Sequence, residues 1–246
     1  MATRTIIITG GTSGIGRAAA LGFAAKGWQV AICGRRADRL DEAQREGGLA
    51  LARQADVTDP EAVAGFFGAV REQLGRIDVV FNNAGAFSAA SSFGDIGIED
   101  WRRMIDTNLN GAFYVAREAF RAMREQAPQG GRIINNGSIS AYAPRYGAAA
   151  YTAPKHAITG LTKSISLDGR PYNIACGQID IGNTATDMTR DTGKGMMQAD
   201  GTMRPEPTFD VRHVVDALLY MAELPLEANV QFMTVMATTM PYLGRG

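Results

Sequence analysis

The sequence predicts an α/β fold, a doubly wound parallel sheet with helices on both faces. Three observations carry that expectation. Short β-branched runs alternate with amphipathic helical patterns along the chain, as strand–helix–strand crossovers do. The first such run passes directly into a glycine-rich segment, Thr9-Gly10-Gly11-Thr12-Ser13-Gly14-Ile15-Gly16, and then into a helical pattern. No repeat, low-complexity tract or linker divides the 246 residues, so a single domain over 1–246 is expected.

Bulk composition narrows the function classes. Lys plus Arg number 25 and Asp plus Glu number 25. That balance argues against nucleic acid or a membrane surface as the main partner. Cys33 and Cys176 both stand in apolar, strand-like contexts, which suggests neither a disulfide framework nor a metal site. No apolar run approaches the roughly 18 residues of a membrane-spanning helix. No signal-like segment opens the chain, so a cytoplasmic protein is the default expectation.

The elements follow in order. Residues 4–9 read as a buried strand. The glycines after it permit a tight turn and close backbone approach, with a pyrophosphate at the positive end of the helix over about 15–26. Gly10, Thr12, Ser13, Gly14, Ile15 and Gly16 are thus candidate dinucleotide contacts. The strand 28–33 ends in Gly34-Arg35-Arg36, at the distance where the adenosine ribose is read. An acidic residue there would bond a 2′-hydroxyl, whereas guanidinium suits a 2′-phosphate. Arg35 and Arg36 therefore favour NADP(H) over NAD(H).

A polar helix over 37–47 and a strand over 49–54 lead to Asp56-Val57-Thr58-Asp59-Pro60. Asp59 or Thr58 suits an N-cap, with Pro60 at the first helical position. Asp56 and Val57 sit at a strand's carboxyl edge, where parallel sheets open to ligands. In the helix 61–74, Val63, Phe66, Phe67, Val70 and Leu74 form a core-facing stripe. The strand 77–81 runs into Asn82-Asn83-Ala84-Gly85. The small residues Ala84 and Gly85, with Asn83, would let the backbone approach a cofactor.

Tyr151 and Lys155 lie four apart, one above the other on a helix face. An ammonium beside a phenol stabilises the phenolate, which makes a general acid/base of an ordinarily inert side chain. A nearby serine hydroxyl can bond an oxygen on which charge develops. Y-x-x-x-K alone is common. Its companions decide the matter: Thr9-Gly10-x-x-x-Gly14-x-Gly16, Asn82-Asn83-Ala84-Gly85, Asn108, Ser138 and Tyr151-x-x-x-Lys155.

In order and spacing these motifs resemble the short-chain dehydrogenase/reductase family, over roughly residues 4–236. The resemblance implies a Rossmann fold with a seven-stranded parallel sheet, a nicotinamide cofactor, a small-molecule carbonyl or alcohol substrate, and a homotetramer or homodimer. It makes Tyr151 the proton donor or acceptor. Lys155 would assist Tyr151 and bond the nicotinamide ribose. Ser138 would hold the substrate oxygen; Ser140 is its near competitor. Asn108 lies in the second of two helices, expected near 99 and 107. It would kink that helix and hold a water linking Lys155 to solvent, and Asn is indeed locally unfavourable mid-helix.

The remaining chain carries a departure. After a strand over 132–136, Tyr142 and Tyr146 could line a substrate pocket or a subunit contact. A helix over 148–168 contains Pro154, tolerable in the first turn or if compensated. The next strand, expected over 172–179, holds Cys176-Gly177 where the family usually has Pro-Gly. Gly177 and Ile179 become candidate cofactor contacts, 181–185 reads as an insertion, and Thr186 or Thr184 would touch the nicotinamide carboxamide. Residues 187–207, with Met188, Met196, Met197 and Met203, read as a flap. A helix over 211–223 and a strand over 230–236 close the sheet. In related tetramers the tail 237–246 often lies at a subunit interface. The expected reaction is reversible hydride transfer between NADP(H) and a carbonyl/alcohol pair. The alternatives are a catalytically silent NADP(H)-binding sensor or scaffold, or an enoyl reductase or epimerase on the same scaffold.

Overall fold

The computed structural model describes residues 3–186, 195–198 and 200–242. Part of the expected flap, including Met188, lies outside them. Nine strands and seven α-helices are present among the described residues. They are β1 Thr5–Thr9, α1 Gly14–Ala25, β2 Gln29–Gly34, α2 Ala37–Gly47, β3 Leu51–Gln54, α3 Pro60–Leu74 and β4 Val79–Asn82. α4 Ile98–Ile105, α5 Gly111–Glu125, β5 Gly131–Asn136, α6 Ala149–Asp168 and β6 Ile174–Ile181 follow. β7 Met196–Met197, β8 Met203–Arg204, α7 Arg212–Glu223 and β9 Phe232–Val235 complete the order.

Seven strands form one parallel sheet in the order β3-β2-β1-β4-β5-β6-β9. β7 and β8 pair separately as a short antiparallel hairpin. The sheet's strand order reverses beside β1, which opens a crevice at the strands' carboxyl ends.

The sheet is covered on both faces, so its strands are apolar throughout rather than alternating. β1 is buried at every position. Ile6 and Ile8 pack with Phe23 of α1, Leu40 of α2 and Leu218 of α7. Ile7 points the other way, into a layer with Phe66 and Val70 of α3 and Val115 of α5. The period-2 alternation of a strand thus divides one isoleucine run between two cores.

The amino ends of the strands are closed by polar clamps. Asp78 accepts from the Thr5 N–H at 2.8 Å and from Arg76 Nε at 2.6 Å. The Gln126 amide bonds both the N–H and the carbonyl of Ile77, at 3.0 and 2.9 Å. Arg132, 1 % exposed, donates to Asn229 Oδ1 and to the carbonyls of Leu224, Pro225 and Ala228. Burial pushes its guanidinium below the usual arginine range.

Four expectations are refined. Asp59 is the α3 cap, accepting from the Glu61 and Ala62 N–H groups; the Thr58 N–H and hydroxyl go instead to Asp56. The break at Asn108 is a π-helical turn, Asp106–Asn110, between α4 and α5. Pro154 lies in the second turn of α6, not the first, and removes the N–H that would bond the Ala150 carbonyl. β6 ends at Ile181 rather than Ile179, so the segment 181–185 is displaced from its expected place after the strand. It begins with the strand's last residue and continues across the crevice mouth.

Candidate active site

A cleft of about 720 Å³ runs along the carboxyl ends of the sheet. Its floor begins at the glycine turn. Gly10 and Gly14 have φ of +64° and +53°, which favour glycine. A Cβ at Gly16 would stand 2.3 Å from the Gly10 carbonyl oxygen, so helix and turn close only with hydrogen there. Ser13, at the N-cap of α1, makes no side-chain cap bond among the described residues. The first-turn N–H groups of a helix without an acidic residue there suit an anion.

The polar residues at the strand ends hold one another. The Thr9 hydroxyl accepts from the N–H groups of Asn83 and Ala84 at 3.0 and 2.9 Å. Asn83 Nδ2 donates to the Thr9 carbonyl at 2.8 Å, and Asn136 Nδ2 donates to Asn83 Oδ1 at 2.9 Å. Lys155 Nζ, on a residue only 6 % exposed, donates to the Asn136 carbonyl at 2.8 Å. It also stands 5.6 Å from the centre of the Tyr151 ring, as helical spacing requires. Phe87 also meets Tyr151 edge-on, with ring centres 5.0 Å apart.

Asn108 is buried, and its amide bonds both the N–H and the carbonyl of Ala86 at 3.0 Å. The π turn gives this side chain its aim, and a Cβ at Gly85 would stand 2.9 Å from Asn108 Oδ1. Ser138 Oγ accepts from the Ser140 N–H at 3.1 Å, while the Ser138 N–H donates to Asp180 Oδ1 at 2.9 Å. Both serines are buried and line the cleft.

The cleft brings together the expected site residues with two exceptions. Gly177 and Ile179 lie inside β6, paired with Ile134 and Asn136, and do not line it. A Cβ at Gly177 would stand 2.1 Å from the Val230 carbonyl oxygen, so that glycine serves a close approach at the rear of the sheet. The glycine at the mouth is Gly182, followed by Thr184 and Thr186, both of which line the cleft. Thr186 also stands against the turn, 3.7 Å from where a Gly14 Cβ would be.

Several lining residues escape sequence reasoning. Arg145 donates from Nη2 to Asn183 Oδ1 at 2.8 Å and to Glu206 Oε2 at 2.6 Å. Gln198 donates to the other Glu206 oxygen at 3.1 Å. These contacts join the loop after β5, the end of β6 and the β7–β8 region at the cleft rim. The only sequence signal was their proximity to Ser138 and to the methionine-rich segment. Tyr142 donates to Asp180 Oδ2 at 3.1 Å and does not line the cleft. Burial and the Asp180 charge push its phenol up to about 12. Burial raises Asp180, opposed by its hydrogen bonds and by the Lys155 charge.

The glycine turn, the start of α1 and the Tyr–Lys pair thus border one cleft at the carboxyl ends of a doubly wound sheet. The description "short chain dehydrogenase" belongs to the family whose profile matches residues 4–196, and the chain is a member of that family of NAD(P)(H)-dependent oxidoreductases. A 3beta-hydroxysteroid dehydrogenase of Mediterraneibacter gnavus is 36% identical over 76% of this chain and 68% of its own length. The sulfoacetaldehyde reductase 2 of Chromohalobacter salexigens is 31% identical over 95% of this chain and 94% of its own. The crystal structure of an acetoin dehydrogenase from Salmonella typhimurium superposes with a TM-score of 0.78 at 30% identity, covering 95% of this chain and 94% of that one. No helix among the described residues is long and apolar enough to cross a membrane.

Proposed function

We propose that the protein interconverts a small-molecule carbonyl and the corresponding alcohol, with NADP(H) preferred over NAD(H). The observation that carries this is the convergence of Tyr151, Lys155, Ser138 and Asn108 on the cleft that also holds the glycine turn. A nicotinamide bound there supplies or accepts the hydride. Tyr151 gives a proton to the substrate oxygen during reduction and takes it during oxidation. Lys155 holds its ammonium beside the Tyr151 ring and bonds the nicotinamide ribose. Its anchor on the Asn136 carbonyl keeps the ammonium under the ring. The Ser138 hydroxyl, already accepting from Ser140, keeps its own proton for the substrate oxygen. Asn108 fixes Ala86 and, at the π turn, supports a water that resupplies Lys155.

Arg35 and Arg36 follow the end of β2 at the adenosine end of the cleft, beside Asp56 and Val57. Thr186, four residues beyond Gly182, is the better placed threonine for the nicotinamide amide, since it faces the turn at Gly14. A homodimer or homotetramer belongs to the same reading, supported by exposed Ile98, Trp101 and Phe113 on α4 and α5.

The test follows reduced-nicotinamide absorbance with acetoin, sulfoacetaldehyde, 3-ketosteroids, simple alcohols and enoyl thioesters, each with NADP(H) and NAD(H). Turnover of at least one carbonyl or alcohol, faster with NADP(H), is expected. Tight NADPH binding without any turnover would instead make the protein a sensor, and turnover of enoyl thioesters alone would make it an enoyl reductase.

A further inference from the structure

One buried carboxylate beneath the site has no part in the steps above. Asp180 is fully buried near the end of β6. Burying a carboxylate is costly unless donors surround it. Here Oδ1 accepts from the Ser138 N–H at 2.9 Å and the Gln178 amide at 2.7 Å, and Oδ2 accepts from the Tyr142 hydroxyl at 3.1 Å. The chain is shaped to admit it. A Cβ at Gly137 would stand 2.0 Å from Asp180 Oδ1, so only glycine lets the segment before Ser138 lie on the carboxylate.

Gln178 carries the connection onward. Its Nε2 also donates to Thr159 Oγ1 at 3.1 Å, and its Oε1 accepts from Thr162 Oγ1 at 3.1 Å. Thr162 in turn accepts from Asn135 Nδ2 at 2.9 Å. Thr159 and Thr162 belong to α6, the helix that carries Tyr151 and Lys155. A continuous set of buried side-chain bonds therefore runs from the Ser138 backbone to the Tyr151 helix. No substrate or cofactor need touch it.

We propose that Asp180 is a positioning residue, which with Gln178 sets the place of the Ser138 hydroxyl relative to Tyr151. The inference rests on the reading of Ser138 as the group that holds the substrate oxygen. Its physical basis is geometric: a displacement of about 1 Å at a reacting centre can cost about 100-fold in rate. The Ser138 N–H, bonded to Asp180, and the Ser138 Oγ, bonded to Ser140, fix that residue from two sides. Tyr142 fills the remaining carboxylate oxygen and holds its proton there.

The experiment is a double-mutant comparison with the panel carbonyl turned over fastest with NADPH. Ser138→Ala should lower kcat about 100-fold. Asp180→Leu should lower kcat about 100-fold in the natural background and less than about threefold in the Ser138→Ala background, where nothing remains to be positioned. The NADPH Kd should stay unchanged in both. Asp180→Asn keeps an acceptor for Ser138 and should restore most of kcat. Gln178→Met leaves the Ser138 bond but cuts the tie to α6, and serves if the leucine variant does not fold. It should cost about tenfold, again only where Ser138 is present. Amide exchange reads the clamp without turnover: Asp180→Leu or Gln178→Met should speed exchange over residues 137–141 and spare β1. Equal losses in both backgrounds, no rescue by Asn, or unchanged exchange would each overturn the proposal. If Ser138→Ala itself leaves kcat unaltered, the reading of Ser138 falls and this inference falls with it.

Discussion

The sheet has two ends, and both are rich in polar side chains. At the amino end, Arg76, Asp78, Gln126 and Arg132 close on backbone groups of neighbouring segments. Among the described residues Arg132 reaches three carbonyls and one side-chain amide but no carboxylate. At the carboxyl end, Thr9, Asn83, Asn136, Lys155 and Asn108 are also bonded, but each is anchored from behind while its residue borders the crevice or supports one that does. The same chemistry locks one end and prepares the other. The difference comes from the crossover order. Helix N-termini and loops gather at the carboxyl ends and leave a crevice beside β1, whereas the amino ends receive the incoming chain and close.

The contrast can be broken by exchanging the effects of the two ends. The largest effect belongs at the carboxyl end. Tyr151→Phe should lower turnover about 10³-fold or more while NADPH still binds and thermal unfolding stays unchanged. Fluorescence titration beside the absorbance assay measures both, and near-normal turnover would remove Tyr151 from the mechanism. Arg132→Met should do the reverse. It strands carbonyls that a charged donor satisfied, and should cost about 3 kcal/mol in urea unfolding with kcat of the folded protein preserved. A pure loss of kcat in that variant would dissolve the division between the ends.

Two smaller changes sharpen it. Replacing Arg35 and Arg36 together with Ala should weaken NADPH binding about tenfold to 100-fold and leave NADH binding within about threefold. Equal loss for both cofactors would show that these arginines do not read a 2′-phosphate. Asp59 stands near the site end but only caps α3. Asp59→Ala should therefore cost about 1 kcal/mol of stability and leave kcat alone, which tests whether place or bonding decides a residue's role.

Reading the residues in sequence recovers the parts of the site that are local. The Thr9 to Gly16 turn sits between a strand and a helix that are contiguous with it, and Tyr151 and Lys155 are fixed by helical period alone. Asn108 was legible as a local contradiction, which the chain resolves as a π turn. The end of β6 misled for a different reason. Matching Cys176-Gly177 to the family's Pro-Gly placed the strand end at Ile179 and made Gly177 the mouth glycine, whereas the strand runs on to Ile181, with Asp180 satisfied inside it by Ser138, Gln178 and Tyr142. Arg145, Asn183 and Glu206 were invisible because each is meaningful only beside the other two.

The sequence by itself determined the alternation of strands and helices, the glycine cradle, the capped start of α3 and the pairing of Tyr151 with Lys155. Those follow from interactions within a few residues, where backbone geometry dictates who meets whom. The tertiary structure alone decided where β6 ends, which glycine faces the cleft, and which buried carboxylate holds Ser138. Those depend on donors brought from 38 to 42 positions away along the chain, and a polar residue's cost of burial is set by partners that no local pattern names.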